Sequence, residues 1–277
     1  MTPKKFQETI WKYYRENKRS FAWRETLDPY AILVSEIMLQ QTQTERVKIK
    51  YAEWMKLFPT VESLAYASLQ KVLESWQGLG YNRRALALKH AAETIAKTYD
   101  GKFPDTFDGL LELPGIGPYT AGAVMAFAFN KPFPVIETNI RTVYIHFFFG
   151  DKFGQIHDKE LLPLIKKTLP RKASAGCGPR EWYYALMDYG VYVKKNIGNL
   201  NKRSRHYTKQ SKFEGSNRQI RSGIVKAITF KPHTSISLQD YFKKNLIEVT
   251  EEQIIKNLII LEKEGFITQQ KNKFHIA

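Results

Sequence analysis

Over roughly the first two hundred residues, apolar side chains recur three and four apart and seldom alternate singly, the period of helices buried on one face. The stripe is broken at Asp28-Pro29, Phe58-Pro59-Thr60, Gly78-Leu79-Gly80, from Gly101 to Pro104, at Gly115-Ile116-Gly117, from Lys131 to Pro134 and at Gly150. Asp28 suits an N-cap and Pro29 the first helical position, which predicts a helix from near Tyr30 to near Gln41. Between Val193 and Arg221 the stripe gives way to basic and polar residues, as for an extended segment lying on the protein or on a polyanion. From Ser222 the helical period returns from Ile224 to Ile228, from Leu238 to Phe242 and from Glu251 to Lys263. Alternation from Gly265 to Gln270 and from Lys273 to Ile276 then predicts a two-stranded hairpin.

Composition adds the partner class. With 277 residues, 43% of them apolar, and 17 Phe beside 15 Tyr, the chain can bury one large core or two modest ones. Its 43 Lys and Arg against 27 Asp and Glu leave a net charge of +16, which draws polyanions to the surface. Charge alone fits nucleic acid, an acidic protein or an anionic membrane. No run approaches the roughly 20 apolar residues that span a bilayer, and Met1-Thr2-Pro3-Lys4-Lys5 leads into a polar amphipathic segment rather than a secretory signal. A single cysteine, Cys177, excludes an internal disulfide and a cysteine-only metal cage, and between Gly176 and Gly178 it reads as an incidental loop thiol. The histidines show no metal-ligand spacing. The expected location is the cytoplasm or nucleoid. Three helices and a hairpin at the C-terminus resemble a winged-helix module, whose third helix commonly enters the DNA major groove; a module that docks on the rest of the chain or on a protein partner fits the same pattern.

Three places carry candidate chemistry. Leu113-Pro114-Gly115-Ile116-Gly117-Pro118-Tyr119-Thr120-Ala121 is a tight glycine turn that opens into an apolar helix, and such a turn aims backbone N–H groups at a phosphate. In a basic chain that phosphate points to a nucleic-acid backbone. Glu36 has Ile32, Leu33, Leu39 and Gln40 as its helical neighbours, so its carboxyl lies on a largely apolar face, unless it turns to solvent. Desolvation there favours the neutral acid and a proton held near neutral pH. Glu137 follows Pro132 to Ile136 and begins another helix, where orphan N–H groups and the helix dipole are expected to hold a carboxylate ionised. A neutral acid and an ionised carboxylate suit cleavage of a glycosidic bond, although the residues alone do not pair these two.

The stretch from Asp28 to about Gly190 resembles the helix-hairpin-helix DNA glycosylase superfamily, and within it most the MutY-type adenine DNA glycosylases. The resemblance rests on Trp23-Arg24, Asp28-Pro29-Tyr30, Ser35 to Thr42, Phe58-Pro59-Thr60, Gly78 to Tyr81, Leu113 to Ala123 and Met187-Asp188-Tyr189-Gly190. It implies an all-α fold of two helical lobes with a DNA-binding cleft. The expected domains are a glycosylase domain over residues 1–211 and a winged-helix-like domain over 212–277; within the first, 28–135 form the hairpin lobe and 1–27 with 136–211 the second lobe.

By position, the resemblance makes Glu36 the acid that protonates the departing base, Gln41 and Tyr81 wedges beside a flipped nucleotide, and Arg24 part of the base pocket. Leu113, Gly115, Ile116, Gly117 and Thr120 belong to the phosphate-gripping hairpin, with a monovalent cation on its carbonyls. Tyr119 stands where lyase-active relatives place a nucleophilic Lys, which implies a monofunctional enzyme; Tyr119 and Asn139 would orient the second carboxylate and the water. The chain departs from the pattern in four respects. Glu137 replaces the usual Asp, Tyr184 stands where Gln or Glu faces the base, the four cysteines of the iron-sulfur cluster are absent, and the 8-oxoguanine-sensing domain gives way to the winged-helix-like tail. The implied partner is double-stranded DNA with a mismatched or damaged base, bound by a monomer. Adenine opposite guanine or 8-oxoguanine is the expected target; thymine, uracil or an oxidised pyrimidine opposite guanine is the alternative, and a non-catalytic DNA-binding protein the third reading.

Overall fold

The helix that carries Glu36 starts where the sequence places it. The Asp28 side chain accepts from the Tyr30 N–H at 2.9 Å, Pro29 takes the first position, and the helix runs Pro29–Leu39. Every residue from Ala31 to Met38 is buried, so the helix has no polar stripe and carries Ser35 and Glu36 into the interior. In this computed structural model residues 1–150, 154–171 and 178–277 are described; Cys177 lies outside the described residues. Among them helices prevail, joined by short turns, with a single antiparallel ribbon near the C-terminus, in agreement with the all-α expectation. No helix among them is long and apolar enough to cross a membrane.

The chain divides into two compact units, the first comprising Met1–Glu36, Pro104–Glu112 and Ile116–Lys209. Its core is built on the helices Pro3–Asn17, Thr138–Phe148 and Pro179–Asn196. Phe6, fully buried, meets Tyr144 at 5.1 Å and Trp182 edge-on at 5.8 Å. Gly190 brings the last of these helices against the start of Thr138–Phe148: a Cβ there would lie 2.5 Å from the Asn139 carbonyl oxygen. The basic stretch is less extended than its composition suggests. Helix continues to Asn196, a short 3-10 turn spans Leu200–Arg203, and helix resumes at Asn217. Asn201 is buried there and accepts from Arg141, which also pairs with Asp158 at 2.7 Å. Apolar anchors are sparse in this stretch, and buried polar pairing holds part of it in place.

The second unit comprises Ile37–Phe103, Leu113–Gly115 and Gln210–Ala277. Trp54 and Trp76, both fully buried, cross edge to face at 5.3 Å in its core. The predicted tail helices are present as Asn217–Phe230, Ser235–Lys244 and Glu251–Lys263. Strands Ile267–Gln270 and Lys273–Ile276 follow, with Ile267 opposite Ile276. Thr234 and Thr250 begin the second and third tail helices with reciprocal capping boxes, which explains why these short segments start sharply. The tail clusters with Ile37–Phe103 through polar ties: Gln70 donates to the Thr229 carbonyl at 3.0 Å, and Arg83 and Arg221 share the Glu264 carboxylate.

Candidate active site

Within the first unit the fold brings Glu36, Tyr119, Glu137, Asn139, Arg24 and Tyr184 into one neighbourhood. Glu36 is 7% exposed, and the Tyr119 hydroxyl donates to its Oε2 at 3.1 Å. Burial pushes the Glu36 carboxyl up to about 7, and the charge of Glu137 adds to the rise, while the Tyr119 hydrogen bond and Arg24 oppose it. Glu36 is therefore an acid poised near neutral pH. Desolvation around its hydroxyl and the neighbouring Glu36 hold the Tyr119 phenol well above its usual range although 36% of the residue is exposed, so it remains a neutral donor.

Glu137 caps the helix Thr138–Phe148 as expected. Its Oε1 accepts from the N–H groups of Asn139 at 2.8 Å and Ile140 at 3.0 Å, and the Asn139 side-chain amide approaches Oε2 at 3.4 Å. These hydrogen bonds do not lower its pKa as the cap position alone implies: it lies above the ordinary value, because desolvation outweighs them and the nearby Arg141. Cap and dipole can be read from position along a helix; the desolvation of this half-buried cap cannot.

Arg24 and Tyr184 form a wall. Phe127 stacks on Tyr184 with centroids 5.0 Å apart and planes 3° from parallel, and the Arg24 guanidinium lies 4.5 Å over the Tyr184 ring. The fork of Arg24 is occupied by Asp188, at 2.9 Å and 3.0 Å, and Arg19 shares that carboxylate at 2.6 Å. The Arg24 guanidinium also lies 5.0 Å over the Phe21 ring, so its faces pack on aromatic rings while Asp188 anchors its fork. Tyr184 is 5% exposed, and burial, aided by the Glu36 charge, raises its pKa.

The glycine turn has the geometry its sequence implies. Gly115 has φ of +74°, and a Cβ on it would lie 2.4 Å from the Ala87 Cβ, so glycine is required by conformation and by space. Leu113 and Ile116 are buried anchors, and Thr120 is buried one turn on. Gly117 caps the helix Pro118–Phe127 and, being glycine, offers its first turn no side-chain hydrogen bond. From Leu113 to Gly117 no side chain carries a donor atom for a metal, so a cation at this turn would rest on backbone carbonyls alone.

In the second unit, Gln41 and Tyr81 both occupy left-handed backbone conformations, at φ of +55° and +50°. For side-chain-bearing residues these conformations are uncommon and must be held by their surroundings. The residue that sequence reasoning missed here is Arg84. Its guanidinium donates to the carbonyls of Ile37, Met38 and Gln40 at the end of Pro29–Leu39, and to Thr42 Oγ1. It also donates to the carbonyls of Leu79 and Gly80, so one cation closes both turns. Burial lowers its pKa to about 10. Its only sequence signal is a basic residue three positions after Tyr81, in a chain rich in basic residues.

The family model described as HhH-GPD superfamily base excision DNA repair protein matches residues 34–170, a span that contains Glu36, Tyr81, the glycine turn and Glu137. A solved thermostable thymine-DNA glycosylase is 31% identical to the chain, with a TM-score of 0.61 over 68% of this chain and 86% of that one. The chain belongs to the HhH-GPD superfamily. Similar proteins include an adenine DNA glycosylase of Buchnera aphidicola subsp. Baizongia pistaciae, 30% identical over 81% of this chain and 65% of that protein. An adenine DNA glycosylase of Mycobacterium tuberculosis is 43% identical over 47% of this chain and 43% of that protein. The chain therefore spans from under half to just under two thirds of these curated relatives' length. The HhH-GPD match ends at residue 170, ahead of Tyr184, Asp188 and the C-terminal tail.

Proposed function

We propose that the protein is a DNA N-glycosylase that hydrolyses the base–sugar bond of a mispaired or damaged nucleotide and leaves an abasic site. The observation that carries this reading is the buried Glu36, an acid titrating near 7, hydrogen-bonded by Tyr119 and within the electrostatic reach of Glu137. The base leaves the duplex, at a cost of roughly a few kcal/mol that is least at a mismatch. Glu36 donates its proton to the departing base. Ionised Glu137, steadied by Asn139, stabilises the oxocarbenium-like sugar and takes up the proton of the water that adds to C1′. A phenol cannot form a Schiff base, so Tyr119 supports hydrolysis without strand cleavage. The glycine turn grips a backbone phosphate, with a monovalent cation on its carbonyls, and the protein acts on double-stranded DNA as a monomer.

Adenine opposite guanine or 8-oxoguanine is the favoured target, because a purine leaves most readily when protonated, and Glu36 holds a proton for it. The adenine glycosylase relatives support the same choice. A second reading, thymine or another pyrimidine opposite guanine, is supported by the likeness to the thymine-DNA glycosylase across 86% of that chain, and by Tyr184 in the wall beside Glu36. Single-turnover base release from duplexes bearing A:8-oxoG, A:G, T:G, U:G and an oxidised pyrimidine opposite G, followed by alkali, separates the two. Strand breaks confined to the adenine duplexes are expected, and they should require alkali. Breaks only at pyrimidines would establish the second reading. Silence on every duplex, or release that persists unchanged in Glu36→Gln, would refute the proposed mechanism.

A further inference from the structure

Arg141 stands one turn beyond Glu137, the N-cap of the helix Thr138–Phe148, and its N–H donates to the Glu137 carbonyl at 2.8 Å, so the two side chains share a helix face. Its guanidinium is locked. Nε and Nη2 donate to the two oxygens of Asp158 at 2.7 Å and 2.8 Å, and Nη1 donates to Asn201 Oδ1 at 3.3 Å. Asp158 begins the helix Asp158–Thr168 and Asn201 lies in the turn Leu200–Arg203, and one backbone pairing fixes both. In that pairing the Ile156 N–H donates to the Arg203 carbonyl at 2.8 Å and the Ile156 carbonyl accepts from the Arg205 N–H at 3.0 Å, with Ile156 and Ser204 both buried. A stretch poor in apolar anchors thus converges on a single arginine within the first unit.

We propose that Arg141, held in place by Asp158 and Asn201, is a positioning residue for base release, which keeps Glu137 ionised while Glu36 still holds its proton. This role rests on the glycosylase reading, which needs both forms at once and so confines the reaction to the pH window between the two titrations. Glu137 faces Glu36 from the helix Pro29–Leu39 and Tyr119 from Pro118–Phe127, while Pro179–Asn196 meets the same turn through the uncharged Gly190. Arg141 supplies the cation, and its charge opposes the rise that burial imposes on Glu137. Asp158 offsets part of that charge, so the field on Glu137 is set by the pair and not by the arginine alone. Without Arg141 the lower edge of the window climbs toward its upper edge, which Glu36 sets at about 7.

The test is the single-turnover pH profile of base release by the full chain and by its Arg141→Gln and Asp158→Asn variants. The Glu137 carboxyl is titrated in parallel by NMR of the glutamate carboxyl carbons, with its signal assigned through Glu137→Gln. Arg141→Gln should move the acid limb, and the Glu137 titration with it, to higher pH by roughly half a unit or more, whereas Asp158→Asn should move both to lower pH. The alkaline limb, set by Glu36, should move less than the acid limb in each. Arg141→Lys, which keeps the charge, should bring the acid limb back toward wild type. A merely structural role would lower the rate at every pH and leave the limb in place. If Arg141→Gln does not fold, the downward shift in Asp158→Asn decides alone. Base release with the acid limb and the Glu137 titration equal to wild type in both variants, or displaced in the same direction, would overturn the role of Arg141 and leave the glycosylase reading standing. Opposite displacements of the Glu137 titration in a protein that releases no base from any duplex would sink the glycosylase reading and leave the electrostatic role of Arg141 intact.

Discussion

Glu36 shows how one side chain trades stability for chemistry. Free of the fold its carboxyl would titrate near 4.5, and in place it titrates at about 7. Between those values the unfolded chain has released a proton that the folded chain still holds, so stability falls as pH rises through the window and stays low above it. Glu36→Gln removes that penalty. It should stabilise the fold at pH 8 by on the order of 3 kcal/mol at most, read as a higher melting temperature, and change it little at pH 4; equal stabilisation at both pH values would contradict the assigned shift. Base release by the wild type should decline above about pH 7 as Glu36 loses its proton, with an acid limb set by Glu137 above the ordinary carboxylate range. A single-turnover pH profile checks both limbs. The apolar neighbours of Glu36 made its character legible in the sequence. The upward shift of Glu137 was not legible, because its cap is local whereas its desolvation depends on the tertiary packing around it.

At the scale of elements, caps and turns followed from local residues. Asp28-Pro29 starts a helix, Gly115 turns left-handed, and threonines cap the tail helices. The pairing of the Gln41 turn with the Tyr81 turn did not follow, since the Arg84 guanidinium that closes both reaches carbonyls more than forty positions away. Arg84→Met would keep the aliphatic stem and leave those carbonyls without their charged donor. A drop of roughly 3 kcal/mol is expected in urea unfolding, together with weaker DNA binding as Gln41 and Tyr81 relax from positive φ. Wild-type stability with wild-type binding would show that the turns hold without the clamp.

For the whole molecule, a net charge of +16 predicts strongly salt-dependent association with DNA. If roughly 6 to 10 phosphates are neutralised, the slope of log affinity against log salt should lie near minus 6 to minus 9, and a flat response would contradict a nucleic-acid partner. By itself the sequence determined what is written in short-range pattern: helical period, caps, the glycine turn, the tail's three helices and hairpin, and a basic surface. Steric and hydrogen-bonding rules act between near neighbours, so these needed no tertiary information. Only the tertiary structure decided which carboxyls lose water, that the Arg24 fork belongs to Asp188, that Arg84 closes two turns, and that Asn201 meets Arg141. Desolvation and long-range hydrogen bonding depend on residues distant in the chain, and no local pattern encodes which of them will meet.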